Sequence, residues 1–168
     1  NLLPFMSPIA NRLRFVCWSV NPLIFTECVC LEIRIEKELS KLKDNNYPFI
    51  FRKKEYHVTI SYNKSPKNRM DKEMEIFTPF IQKEIILKAQ KLVYDSKGVA
   101  ISVELPQELK SLKEYPHITI SNSPGIQPVY SNELLKKSKE DDNIRVVDIS
   151  NIAPIIPVIG LVIPFRKK

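Results

Sequence analysis

The sequence predicts an α+β fold whose sheet is mostly antiparallel. Three observations carry this. Short runs rich in Val, Ile and Thr mix with helical patterns, without a regular strand–helix–strand alternation. Thirteen prolines argue against long uninterrupted helices, because proline lacks a donor and clashes with the preceding turn. Asp95-Ser96-Lys97-Gly98 separates two extended runs as a hairpin turn, with Gly98 expected in the left-handed position. At 168 residues, 43% apolar and 27% charged, the chain fits a single domain over 1–168 with a packed core. Residues 1–12 are expected to be a disordered or added start.

Taken in order, residues 13–20 read as a strand. The next stretch is ambiguous. Cys28, Leu31, Ile35, Leu39 and Leu42 recur at helical spacing behind Thr26 as a possible N-cap. Val29, Leu31, Ile33 and Ile35 also alternate like a strand. A helix over 27–44, ended by Asn45–Asn46, is the favoured reading. Residues 49–52 and 56–62 read as strands, and 70–77 as a short helix with Met70, Met74 and Phe77 on one face. Extended runs over 83–94 and 98–105 flank the hairpin turn. A short helix over 106–113 and a strand at 117–121 follow. Residues 122–130 read as loop, Ser131 caps a helix to about 138, and 136–143 form a solvated connection. Strands at 144–150 and 155–165 finish the chain, with Pro157 and Pro164 placing the last at an edge or ending it early.

A net charge of +7 favours a polyanionic partner such as nucleic acid. Only three glycines are present, which argues against a glycine-rich nucleotide loop. Cys17, Cys28 and Cys30 show no disulfide framework, fit a reducing compartment, and read as small buried hydrophobes. With two histidines elsewhere, no structural zinc set is visible. No metal or cofactor is expected. The apolar first 33 residues are broken by Pro4, Pro8, Arg12, Arg14 and Pro22, short of the roughly 20 residues a membrane span needs. A soluble, intracellular (cytoplasmic or nuclear) monomer is the expectation.

The chemistry resides in a repeat. Both histidines begin nearly the same pentapeptide: His57-Val58-Thr59-Ile60-Ser61 and His117-Ile118-Thr119-Ile120-Ser121. Lys54-Glu55-Tyr56 leads into the first, and Lys113-Glu114-Tyr115-Pro116 into the second. Val, Ile and Thr favour strand, and alternate strand residues share a face. His57, Thr59 and Ser61 are therefore expected on one face, and His117, Thr119 and Ser121 likewise. Tyr62 and Asn122 are expected to point away. Two such strands facing each other make a phosphodiester site. One neutral imidazole takes a proton from the nucleophile, and the other, protonated, donates to the leaving oxygen. The threonine hydroxyls donate to the non-bridging oxygens. A lone H-x-T would be a weak signal, since a single strand histidine is more often structural. Two matching copies are a different matter.

These paired H-[VI]-T-I tetrapeptides, the second preceded by Tyr-Pro, resemble the two-histidine (2H) phosphoesterase superfamily. That group includes 2′-5′ RNA ligase-like proteins, cyclic phosphodiesterases, and the phosphodiesterase domains of fungal and plant tRNA ligases. The resemblance spans about 13–165. It implies a bilobal α+β fold, with two mostly antiparallel sheets around a central cleft and flanking helices. It also implies His57 and His117 as the acid–base pair, with Thr59 and Thr119 binding phosphate. The segment 122–135 resembles the tRNA-ligase-type branch.

Further candidates surround the motifs. Tyr56 and Tyr115 could stack a base or pack in the core. Ser61 and Ser121 could touch substrate. Arg52, Lys53, Lys54, Lys64 and Lys67 could form a rim for RNA phosphates, or a solvated loop face. The expected function is metal-independent cleavage of a 2′,3′-cyclic phosphate or 2′-5′ phosphodiester at an RNA end. Two alternatives stand beside it: a phosphodiesterase acting on 2′-5′ oligoadenylate or cyclic (oligo)nucleotide signals, and a non-catalytic RNA-binding module.

Overall fold

In the computed structural model, residues 25–43, 56–63, 75–80, 83–151 and 154–166 are described. Seven strands form one sheet: β1 (Phe25–Ile33), β2 (Tyr56–Asn63), β3 (Lys88–Tyr94), β4 (Gly98–Glu104), β5 (His117–Asn122), β6 (Arg145–Asp148) and β7 (Pro157–Arg166). Their order is β6-β3-β4-β5-β2-β1-β7, and every neighbouring pair is antiparallel. Helices α1 (Glu36–Lys43) and α2 (Tyr130–Lys137) accompany it, with 3-10 turns at Thr78–Phe80 and Gln107–Leu112. The fold is thus α+β and antiparallel. The expected separation into two sheets is corrected: β2 and β5 pair at Val58↔Ile118 and join all seven strands. That ladder is a single pair, so the junction is narrow.

The favoured helix over 27–44 is also corrected. Residues 25–33 are strand, and the helix begins only at Glu36. The alternating pattern prevails because β1 lies between β2 and β7 and is hydrogen-bonded on both edges. Leu31 and Ile33 enter the core, while Glu32 and Arg34 are exposed. Helix α1 then forms locally. Glu36 and Glu38 suit the positive end of its dipole, and Leu39 packs with Ile35 in the core. The strand at 13–20, the strand at 49–52, the Asn45–Asn46 turn, and Met70 and Met74 lie outside the described residues. Residues 75–77 are helical, and Phe77 is fully buried.

The sequence repeat extends into the preceding strands. In β1 and β2 the partners are Val29↔Ser61, Cys30↔Thr59, Leu31↔Val58 and Glu32↔His57. In β4 and β5 they are Val99↔Ser121, Ala100↔Thr119, Ile101↔Ile118 and Ser102↔His117. The two ladders match residue for residue. Each skips one residue at the same place, between Val29 and Cys30 in one and between Val99 and Ala100 in the other. The extra residues are Ile60 and Ile120, each a bulge. Val58↔Ile118 therefore sits at the centre of two equivalent strand pairs.

The main core gathers on one side of the sheet. Leu31, Val58, Ile60, Phe77, Leu87, Leu92, Leu109, Ile118 and Ile120 are all fully buried there. Residues 85–87 pair with 155–157 through Ile85 N–H to the Pro157 carbonyl (3.1 Å) and reciprocal Leu87–Ile155 bonds (2.7 and 3.0 Å). This link joins the lead-in of β3 to the lead-in of β7, so the sheet curls around the core. A second cluster of Val93, Ala100, Leu134, Leu135 and Ile144 seats α2 on the opposite face of β3 and β4. Strand β7 is an edge strand, as its prolines require.

The 95–98 turn forms by a different device from the expected one. Asp95 Oδ1 accepts from the Lys97 and Gly98 amides at 2.8 and 3.0 Å, an Asx arrangement. The glycine with positive φ is Gly125 (φ 84), in the 122–130 loop. Gly98 instead lies in close approach to its neighbours. A Cβ there would stand 3.2 Å from Asn122 Nδ2.

Candidate active site

The two motif strands lie side by side at the centre of the sheet. Val58, Ile60, Ile118 and Ile120 fill the core, so His57, Thr59, His117 and Thr119 occupy the opposite face. His57 is exposed, and the other three are half-buried. Counting outward from Val58↔Ile118 in antiparallel register sets His57 across from Thr119 and Thr59 across from His117. In that register each imidazole falls opposite the threonine position of the other motif.

His117 is fixed and electrostatically tuned. Its Nδ1–H donates to the Tyr115 carbonyl at 2.7 Å. That bond leaves Nε2, on the far edge of the neutral ring, as the nitrogen able to accept a proton. Burial pushes its pKa below 6.5, partly opposed by the Tyr115 hydrogen bond and reinforced by the charges of Lys113 and His57. The repulsion from His57 means that a proton on one ring disfavours a proton on the other.

Each threonine has a side-chain neighbour on its own face of the sheet. Thr119 Oγ1 lies 2.9 Å from Ser131 Oγ on α2. Thr59 Oγ1 lies 3.9 Å from the buried Cys30 thiol, a long contact to sulfur. Cys30 and Ala100 are equivalent in the two ladders, each opposite a motif threonine.

The remaining candidates are less favourably placed. Strand parity fails at Ser121. The bulge at Ile120 sets it opposite Val99, whereas Thr119 is opposite Ala100, and these adjacent residues of β4 face opposite sides. Ser121 therefore does not share the face of His117 and Thr119. The side chain of Ser61 lies outside the described residues, as do Arg52, Lys53, Lys54, Lys64 and Lys67. Tyr56 is 6% exposed within the main core, which leaves no ring face for a base. Tyr115 is half-buried against the second cluster, with Lys139 Nζ 5.1 Å from its ring centre. Ser131 is not a cap. The N-cap is Val129, and Ser131 lies inside α2, 1% exposed. Sequence reasoning missed its contact with Thr119, because a serine at a helix start reads as a cap whichever way it points. Among the described residues, no group of three or more His, Cys, Asp or Glu could hold a metal ion. No helix among them is long and apolar enough to cross a membrane.

Comparison with known proteins places this arrangement. The family model described as the fungal tRNA ligase phosphodiesterase domain matches residues 51–156, more than half of the chain and both motifs. The chain belongs to the fungal tRNA ligase phosphodiesterase domain family. The resemblance to 2H phosphoesterases noted from the motifs is thereby shown. No curated protein sequence matches this phosphodiesterase-family chain. Among solved structures, a fungal RNA kinase matches with a TM-score of 0.54 at 15% identity, over 84% of this chain and 46% of that one. The likeness is one of fold, and the chain spans less than half the length of that relative. The family match begins just before β2 and ends just before β7, so β1, α1 and β7 stand outside it.

Proposed function

We propose that the chain hydrolyses a 2′,3′-cyclic phosphate, or a 2′-5′ phosphodiester, at an RNA end by histidine acid–base catalysis. The observation that carries this is the meeting of two H-x-T motifs on one face of adjacent central strands. His117 is the base. Its depressed pKa keeps it neutral near pH 7, and its Nδ1 bond leaves Nε2 to receive the proton of the attacking water. His57, exposed on the same face, is the acid. The water oxygen bonds to phosphorus, one ribose oxygen leaves, and that oxygen takes the proton of His57. His117 ends protonated and His57 neutral, and solvent restores both. Thr59 and Thr119 donate to the non-bridging oxygens as charge develops there. These steps require no metal.

RNA as the substrate is supported by the family description, by the RNA kinase that shares the fold, and by the net charge of +7. An intracellular monomer acting on RNA ends completes the reading. The test is turnover of an oligonucleotide ending in a 2′,3′-cyclic phosphate, in EDTA, with the product terminus identified by mass spectrometry. His57→Ala and His117→Ala should each lower kcat by about 10²-fold or more. Wild-type turnover in the double mutant would overturn the proposal. Preference for mononucleotide cyclic phosphates would move the substrate away from RNA.

A further inference from the structure

Among the described residues, Ser131 is the one buried polar residue, at 1% exposure on the first turn of α2. Its Oγ meets Thr119 Oγ1 at 2.9 Å. A hydroxyl carries one proton and two acceptor sites, so this bond can run either way. Burial decides the direction. Were Thr119 the donor, the Ser131 proton would be left in a dry site without an acceptor. With Ser131 as donor, that proton is satisfied, and the Thr119 proton is freed for the half-buried polar face. That face is where a phosphate oxygen would need a donor.

The anchoring of α2 reinforces this. Tyr130, the residue before Ser131, donates its hydroxyl to Asp95 Oδ2. Asp95 is in turn locked by the amides of Lys97 and Gly98. The helix start is thus tied to the β3–β4 turn, while β4 is laddered to β5 through Ala100↔Thr119. Ser131 and Thr119 are held in one rigid unit.

We propose that Ser131 is a positioning residue that sets Thr119 as a one-way hydrogen-bond donor to the substrate phosphate. It acts through Thr119 and touches no reacting atom. The substrate half of this statement rests on the proposed phosphodiesterase reading, whereas the orienting half does not.

Two measurements on the full chain test it. The first needs no substrate: three-bond scalar couplings report the Thr119 χ1 rotamer by NMR. Wild type should show one rotamer, and Ser131→Ala should show averaging. An unchanged single rotamer would overturn the proposal. The second is a double-mutant cycle on an oligonucleotide ending in a 2′,3′-cyclic phosphate. Removing the Thr119 hydroxyl (Thr119→Val) should lower kcat by about 10²-fold, the scale for losing one oxyanion donor. Ser131→Ala should lower kcat about tenfold, with KM and the shape of the pH profile retained. In the Thr119→Val background, Ser131→Ala should have no further effect, because its route is gone. Full additivity would assign Ser131 a merely structural role and overturn the proposal. Ser131→Cys, of similar size and a weak donor, gives the same readouts should the alanine variant fold poorly. Absence of wild-type turnover would remove the phosphodiesterase reading, and the rotamer measurement would still decide the orienting role.

Discussion

At His117, burial and charge act on the same ring. Burial makes its protonated form costlier in the folded chain than in the unfolded one, and Lys113 and His57 add repulsion. The folded protein therefore takes up this proton at lower pH than the unfolded chain does. Between the two pKa values the unfolded chain holds more protons, so stability rises with pH there. The contribution is complete above pH 6.5 and is lost as pH falls through the folded value. NMR titration should show the His117 ring titrating below 6.5, and His57→Asn should raise its midpoint. A midpoint at or above 6.5, or one insensitive to His57, would contradict the electrostatic account. Urea midpoints should fall on acidification through this window, and His117→Gln should flatten that dependence. In the proposed reaction the same ionisation sets the acid limb of the rate profile, since a protonated base is inactive.

Among the elements, α2 determines how well the second motif is supported. Its docking depends on Leu134 and Leu135 in the second cluster and on the Tyr130–Asp95 bond. Burial and Asp95 push the Tyr130 pKa up to about 12, so the hydroxyl remains a donor across the physiological range. Tyr130→Phe should cost roughly 1.5–3 kcal/mol, the range for a hydrogen bond to a charged group. Hydrogen exchange should then speed in the α2 amides and leave β1 unchanged; uniform acceleration would mean that α2 is not an independent latch. The elements also show what the sequence could and could not tell. The motif strands were legible because β-branched residues alternate with polar ones at 56–62. The hairpin at 95–98 was legible from its turn residues. Strand β1 was not, because Cys28, Leu31 and Ile35 satisfy a helical period while Val29, Leu31 and Ile33 satisfy a strand period. Only neighbours on both edges decide between them. The bulge at Ile120 was invisible as well. A one-residue insertion leaves no mark in composition, yet it alone takes Ser121 off the face that parity assigned to it.

For the molecule as a whole, the central question is how the equivalent ladders β1–β2 and β4–β5 behave together. Val58 and Ile118 are both fully buried where these ladders meet. Ile118→Ala should cost about 2–5 kcal/mol, the range for a buried aliphatic truncated to alanine. Urea unfolding should remain a single transition by fluorescence and circular dichroism, since Leu31, Val58, Ile101 and Ile118 share one core. Two separated transitions would show that the ladders fold independently. The metal-free chemistry proposed above belongs to this scale too, because neither strand pair alone holds both imidazoles.

The bond pair between Leu87 and Ile155 has a mechanical consequence. A body pinned at one point can swing about it; a body pinned at two distant points cannot. The strand pairs meet at Val58 and Ile118, and the chain is fastened again where 85–87 grips 155–157. A hinge at the central seam would have to tear this second fastening before the histidine-bearing strands could part. The surface between them is therefore preset, and the conformational adjustment on binding falls to the ligand. For the RNA end proposed above as substrate, a flexible single strand, able to fold itself onto a fixed bed, would meet that demand better than a stiff duplex.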